Sequence, residues 1–189
     1  MQPHTKGKLH IKVAVYGLKI VTNNIIALIK DGTPETLNFL VTTSTVGKDG
    51  WVGQEKSITI VYSYDDGPIL IAAAREGEIL SIGEKEFMNL NSATQQIEIF
   101  ENSLSVLGAT YGPDDVTPQV KEMVSSRKTL SFYINNTVFN DSWIGVEKTF
   151  IIILGVGKYV ALAEIFIERE QCRIDLKNVA LKNYTVMVA

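Results

Sequence analysis

Residues 48–57 read KDGWVGQEKS, and residues 140–149 read NDSWIGVEKT. A phrase that occurs twice constrains the fold more than any other feature here, because internal similarity marks a structural unit used more than once. The likeness is not confined to the phrase. Tyr16-Gly17 and Val21-Thr22 match Tyr111-Gly112 and Val116-Thr117, and Thr36-Leu37 with Phe39 matches Thr129-Leu130 with Phe132. Asp49, Trp51, Gly53, Glu55 and Lys56 then match Asp141, Trp143, Gly145, Glu147 and Lys148, and a gapless alignment continues to Ile82 and Ile174. The first copy has two extra residues around Asp31–Glu35, where a turn is expected. This order of matches predicts an internal duplication: a first unit over residues 1–85, a linker over 86–96, and a second unit over 97–189 that ends in an extra strand. Each unit has the size of a small domain.

The residue patterns within a unit are those of strands. In LHIKVAVYG, Ile11, Val13 and Val15 alternate with other residues, which predicts a strand with one buried face. TLNFLVTT alternates Leu37, Phe39 and Val41. KSITIVYSY is β-branched and aromatic and runs into Asp65-Asp66-Gly67-Pro68, a hairpin-type turn. PILIAAAREG and EILSIG follow; KTFIIILG, KYVALAEIFIE and QCRIDL are their counterparts. One short helix is expected after the first strand of each unit. Thr117 is placed at its N-cap, with Pro118 at the first helical position and Val120, Met123 and Val124 on one face. The matching segment after Thr22, with Ile25, Ile26, Leu28 and Ile29, fits a helix or a strand. The predicted class is mainly β, two similar β-sandwich-like units.

Two segments lack alternation. Phe150–Leu154 is apolar throughout, and so is Tyr159–Ala163. A strand with one face in water alternates, so these strands need cover on both faces. The other unit or another subunit could supply it. The apolar tail NVALKNYTVMVA could close a sheet in its own chain or extend a neighbour's. The run from 150 to 167 contains Lys158 and Glu164 and is divided by glycines, so it reads as two buried strands and a turn, not as a membrane-spanning helix.

The tryptophan loop has two readings. As a site, Trp51 and Trp143 would stack on sugar rings while Asp49, Glu55, Asp141 and Glu147 accept hydrogen bonds from hydroxyls; two copies would give avidity. As scaffold, the indole covers the end of the unit and the Asp caps the turn. The whole phrase recurs, including its glycine and strand entry, and shared folding requirements favour the scaffold reading.

The order of Tyr16-Gly17, Val21-Thr22, Asp49, Gly53, Glu55-Lys56, Glu76-Gly77-Glu78 and Leu80 resembles the uncharacterised C-terminal domain of a mitochondrial DnaJ-like protein family. The second copy keeps most of this pattern, with Glu168-Arg169-Glu170 in place of the EGE. The resemblance covers each copy nearly end to end and implies two such domains in tandem. The HPD motif of a J-domain does not occur, so the resemblance implies no co-chaperone activity.

No catalytic set emerges. His4 and His10 have no partners at metal-ligand spacing. The single cysteine, Cys172, allows no intramolecular disulfide and reads as a small core residue. Nucleotide-binding and hydrolase motifs are missing. The acid pairs Asp65-Asp66 and Asp114-Asp115 fall in turns, where solvation is the ordinary reading and calcium the other. The sequons at Asn135, Asn140 and Asn183 lack a preceding secretory leader. Net charge is −3, which disfavours nucleic acid as a partner. The expectation is a non-enzymatic protein without cofactor or metal, cytoplasmic or intracellular. It acts as a structural or self-assembling β protein whose partner is itself or, alternatively, as a lectin-like module whose partner is a glycan.

Overall fold

The computed structural model describes residues 7–29, 35–65, 67–83, 104–125, 131–156 and 161–176. The first half of the chain runs β1 (Leu9–Tyr16), β2 (Lys19–Ile20), α1 (Thr22–Ile26), β3 (Leu37–Leu40), α2 (Thr43–Val46), β4 (Ser57–Tyr64), β5 (Leu70–Arg75) and β6 (Ile79–Ile82). The second half runs β7 (Leu104–Tyr111), β8 (Asp114–Asp115), α3 (Thr117–Ser125), β9 (Ser131–Tyr133), α4 (Asn136–Phe139), β10 (Thr149–Val156), β11 (Ala161–Arg169) and β12 (Arg173–Asp175). The fold is mainly β, and the described strand pairs are antiparallel. Among the described residues each half has a four-stranded sheet, β2-β1-β4-β5 or β8-β7-β10-β11, and a two-stranded sheet, β3-β6 or β9-β12. The expected linker 86–96, the tail 178–189, His4 and Asn183 lie outside the described residues.

The two-faced burial expected of Phe150–Leu154 is present, and the other half of the same chain supplies the second cover. Phe150, Ile152 and Leu154 point into their own half's core with Tyr111, Val120, Phe132 and Phe139. Ile151 and Ile153 point the opposite way and meet Val13, Val15 and Val61 of the first half. Strand β4 is divided likewise, with Ile58, Ile60 and Tyr62 in the first half's core and Val61 on the shared face. The two four-stranded sheets thus pack through these residues.

Strand β1 departs from the simple alternation expected of it. Its pairing with β4 skips a residue between Ile11 and Val13, leaving Lys12 as a bulge. A bulge reverses the parity of the strand. Ile11 therefore joins the first half's core with Ala14 and Tyr16, while Val13 and Val15 turn to the shared face. Strand β7 skips Leu107 in the same way. The Val-Thr motif serves this bulge. Thr22 Oγ1 accepts a hydrogen bond from the Ala14 amide at 3.0 Å, and Thr117 Oγ1 accepts one from the Ala109 amide at 2.9 Å. The preceding valines are buried and donate their amides to the carbonyls of Ala14 and Ala109. Thr117 is therefore occupied with β7 and does not serve as the expected cap of its helix.

The expectation of one helix per unit, directly after the first strand, is also corrected. Among the described residues each half has two helical segments, and a two-residue strand separates the first strand from the first helix. The second helix arises because the strand at Leu37–Leu40 stops before its threonines. Thr42 Oγ1 caps α2 by accepting from the Thr45 amide at 3.1 Å, and Asn135 Oδ1 caps α4 by accepting from Val138 at 3.0 Å. Capping by a short polar side chain outweighs the strand preference of β-branched threonine.

Among the described residues, no helix is long and apolar enough to cross a membrane. The two-faced packing of β10 has a measurable consequence. Ile151→Ala, Ile152→Ala and Ile153→Ala should each lower the unfolding free energy by about 2–5 kcal/mol, the range for truncating a buried isoleucine. Denaturant titration checks this; an alternating pattern of large and negligible losses would contradict the packing.

Candidate functional site

Each tryptophan loop is built around a buried lysine. Lys56 and Lys148 are 5% and 1% exposed. An ammonium group taken out of water needs partners. Lys56 Nζ lies 3.4 Å from Asp49 and 3.2 Å from Glu76, and it donates to the Gln54 carbonyl at 2.7 Å. Lys148 Nζ lies 2.7 Å from Asp141 and 3.5 Å from Glu170, and it donates to the Val146 carbonyl at 3.1 Å. Each ammonium also sits over a tyrosine ring, Tyr16 at 5.5 Å and Tyr111 at 5.4 Å. Gly17 and Gly112 follow those tyrosines with φ of 56° and 58°. A Cβ there would stand 3.2 Å and 3.3 Å from the lysine stems, so both the turn and the close approach call for glycine. The Tyr-Gly motif thus makes room for the lysine and gives it a π face.

The aspartate of each phrase serves both the loop backbone and the lysine. Asp49 Oδ1 accepts the Trp51 amide at 2.9 Å, and Asp141 Oδ1 accepts the Trp143 amide at 3.1 Å, closing an Asx-type turn. The same carboxylates pair with the lysines, so the loop is tied to the mouth of β4 or β10. The tyrosine hydroxyls complete the network. Tyr16 donates to Glu76 at 2.6 Å, and Tyr111 donates to Asn136 Oδ1 at 2.6 Å; the Asn136 amide in turn reaches Asp141 at 3.1 Å. A hollow of about 390 Å³ opens beside Lys148, between Asn136, Asp141, Gly145 and Glu170.

This network moves the titration of its members. The Lys148 ammonium holds the Asp141 carboxyl below the usual aspartate range. Burial pushes Glu76 upward, but hydrogen bonds from Tyr16 and Lys56 outweigh it and the net shift is downward. Burial, with Glu76 or Glu170 nearby, raises the tyrosines Tyr16 and Tyr111.

The indoles face the opposite half of the chain. Arg169, the last residue of β11, lies over the Trp51 ring at 4.9 Å. Arg75, the last residue of β5, lies over the Trp143 ring at 5.3 Å and donates to the Ser142 carbonyl at 2.9 Å. Each half grips the other's tryptophan with an arginine that sequence reasoning did not single out. Glu55 and Glu147, expected beside the aromatic, stand exposed. The carboxylates that reach the lysines are Asp49 and Asp141 from the loop, with Glu76 and Glu170 from the far end of the hairpin.

That pairing corrects the alignment. The gapless register places Glu76 beside Glu168, whereas the hydrogen bonds place it beside Glu170. Ser57 pairs with Arg75, and Thr149 with Arg169. Glu76 donates its amide to the Lys56 carbonyl, and Glu170 donates its amide to the Lys148 carbonyl. Gly77 and Gln171 then both adopt positive φ, 87° and 67°. Arg75-Glu76-Gly77-Glu78 therefore corresponds to Arg169-Glu170-Gln171-Cys172, and Leu80 and Ile82 correspond to Ile174 and Leu176. The second hairpin is longer by two residues than the first.

Comparison with protein-family models, curated proteins and solved structures found no match to this chain.

Two outcomes follow from the network. Lys148→Met should destabilise the protein and shift its tryptophan emission, whereas Glu55→Ala and Glu147→Ala should change stability by no more than about 0.5 kcal/mol, as exposed side chains do. Acid is the second. A carboxyl held below its unfolded value stabilises the fold above that value, and the contribution is lost as pH falls through the folded one. Denaturation midpoints should therefore fall as pH drops below about 4, the usual carboxyl range, and Asp141→Asn should flatten that fall.

Proposed function

We propose that the protein is a non-catalytic structural β protein that acts through protein–protein contacts, itself included, and that it arose by duplication of one sandwich-like unit. The observation that carries this reading is how the repeated phrase is used. Its aspartates, lysines and tryptophans are engaged inside the molecule in both halves. Beside the exposed Glu55 and Glu147, each phrase leaves an aliphatic tip outside: Val52 is 82% exposed and Ile144 is 85% exposed. A side chain exposed at the same place in both copies is available for contact. The paired positions Leu40 and Ile79, on the outer side of β3-β6, add a second exposed apolar spot. The resemblance of each half to the DnaJ-like C-terminal domain rests on its motifs alone and is part of this proposal. So is an intracellular setting, which agrees with the lone Cys172.

Support for the self-assembly reading has moved. The sequence offered the two-faced apolar strands, the apolar C-terminus and the missing catalytic set as its motive, but Phe150–Leu154 finds its cover within the chain, and the burial of Tyr159–Ala163 falls outside what the structure describes. The motive now is the exposed tips. Carbohydrate binding at Asp49, Trp51, Glu55, Asp141, Trp143 and Glu147 is the second reading, and it draws on indoles that are only partly buried. It is the less favoured one, because an arginine covers a face of each indole and the aspartates already have partners.

Sedimentation over a concentration series separates the two. Reversible self-association that weakens on Val52→Ser with Ile144→Ser is the expected result. A monomer at every concentration, together with tryptophan emission that responds to a sugar panel, would favour the lectin reading instead.

A further inference from the structure

The face shared by the two halves is reciprocal in its frame but not in its residues. Hydrogen-bond register defines the corresponding rows. Val13, Val61 and Ile71 form one row of the first sheet, matched by Gly108, Ile153 and Ile165 of the second. Val15, Thr59 and Ala73 form the next row, matched by Thr110, Ile151 and Ile167. Small residues in one half stand where large ones stand in the other, and hydroxyls stand where methyl groups do.

These differences are complementary across the face. Thr59 Oγ1 and Thr110 Oγ1 form a buried hydrogen bond at 2.8 Å. The positions corresponding to this pair are Ile151 and Val15, both in the shared apolar cluster. Gly108 lies against Ile71, and a Cβ at 108 would be only 3.0 Å from Ile71 Cδ1. The residue that corresponds to Gly108 is Val13.

We infer that this face is built to pair a first half with a second half, and that it rejects a pair of like halves. The inference rests on the duplication reading, which supplies the correspondence. Two first halves joined in the same geometry would set Thr59 against Val15 twice, burying both hydroxyls without partners, and would press Val13 onto Ile71. Two second halves would set Ile151 against Thr110 twice, burying both of those hydroxyls without partners. An unpartnered buried hydroxyl and an overfilled core are each costly, whereas a matched pair of hydroxyls is not. The partner that fits the first half's sheet face is thus a second half, from the same chain or from another copy of it.

The test uses the whole chain with a protease site inserted within 86–96, folded first and then cleaved. The fragments are diluted, allowed to exchange and weighed by native mass spectrometry, where the three possible pairs differ in mass. First–second pairs should exceed their statistical share over either like pair by at least about thirtyfold, the low end for two stranded hydroxyls. Val13→Gly with Thr59→Ile gives the first half a face that fits itself, and first–first pairs should then appear. Thr59→Ser keeps the hydroxyl and should keep strict unlike pairing, which guards against reading a folding defect as a change of specificity. A statistical mixture from the unmodified chain overturns the inference, as does failure of the double variant to form first–first pairs. Fragments that separate as monomers overturn it too, and they leave the sedimentation result for the exposed tips standing on its own.

Discussion

The central strands of both large sheets are buried on both faces, and the rest of the structure follows from that. A strand such as β10 cannot lie at a surface. Each large sheet must cover one side with its own helix and two-stranded sheet, and the other side with a second sheet of similar shape. The chain meets the requirement by holding two such sheets. The bulges in β1 and β7 set which residues of each strand face its own core and which face the other half. Helices and small sheets are added on the outer sides only.

The buried lysines belong to the rim of this arrangement. Each ties its loop to the strand that enters the sheet, and each loop carries the indole that the opposite half's arginine covers. Isolated ion pairs at a surface contribute little, and burial costs more than a single pair returns. The network is therefore better understood as a positioning device: it fixes where the indole sits, and the apolar face supplies most of the free energy. Arg75 and Arg169 couple the two halves at the edges, while Val13, Val15, Val61, Ile151 and Ile153 couple them at the centre.

Much of this was legible in the sequence. The strands, the Tyr-Gly and Val-Thr matches and the two-faced run at Phe150–Leu154 all found a structural reason. What escaped is instructive in physical terms. A bulge leaves no mark in an alternating pattern, so Val13 was assigned to the same face as Ile11. Glutamates occur at both 168 and 170, so charge identity could not say which one answers Glu76; only hairpin pairing sets that register. Thr42 and Asn135 look like strand or loop residues until their caps are seen. The arginines were missed because the gapless alignment does not set Arg75 opposite Arg169. Their partnership with tryptophan is visible only once the halves face each other.

The shared face also has a consequence for synthesis. All first-half contributors to it, from Val13 to Arg75, are synthesised before any of Leu107 to Arg169. At about 5–20 residues per second, translation leaves the newborn valine strip facing water for several seconds. During that interval the growing polypeptide is at its stickiest, and escort by a holding factor would matter more then than at any later moment in the protein's life.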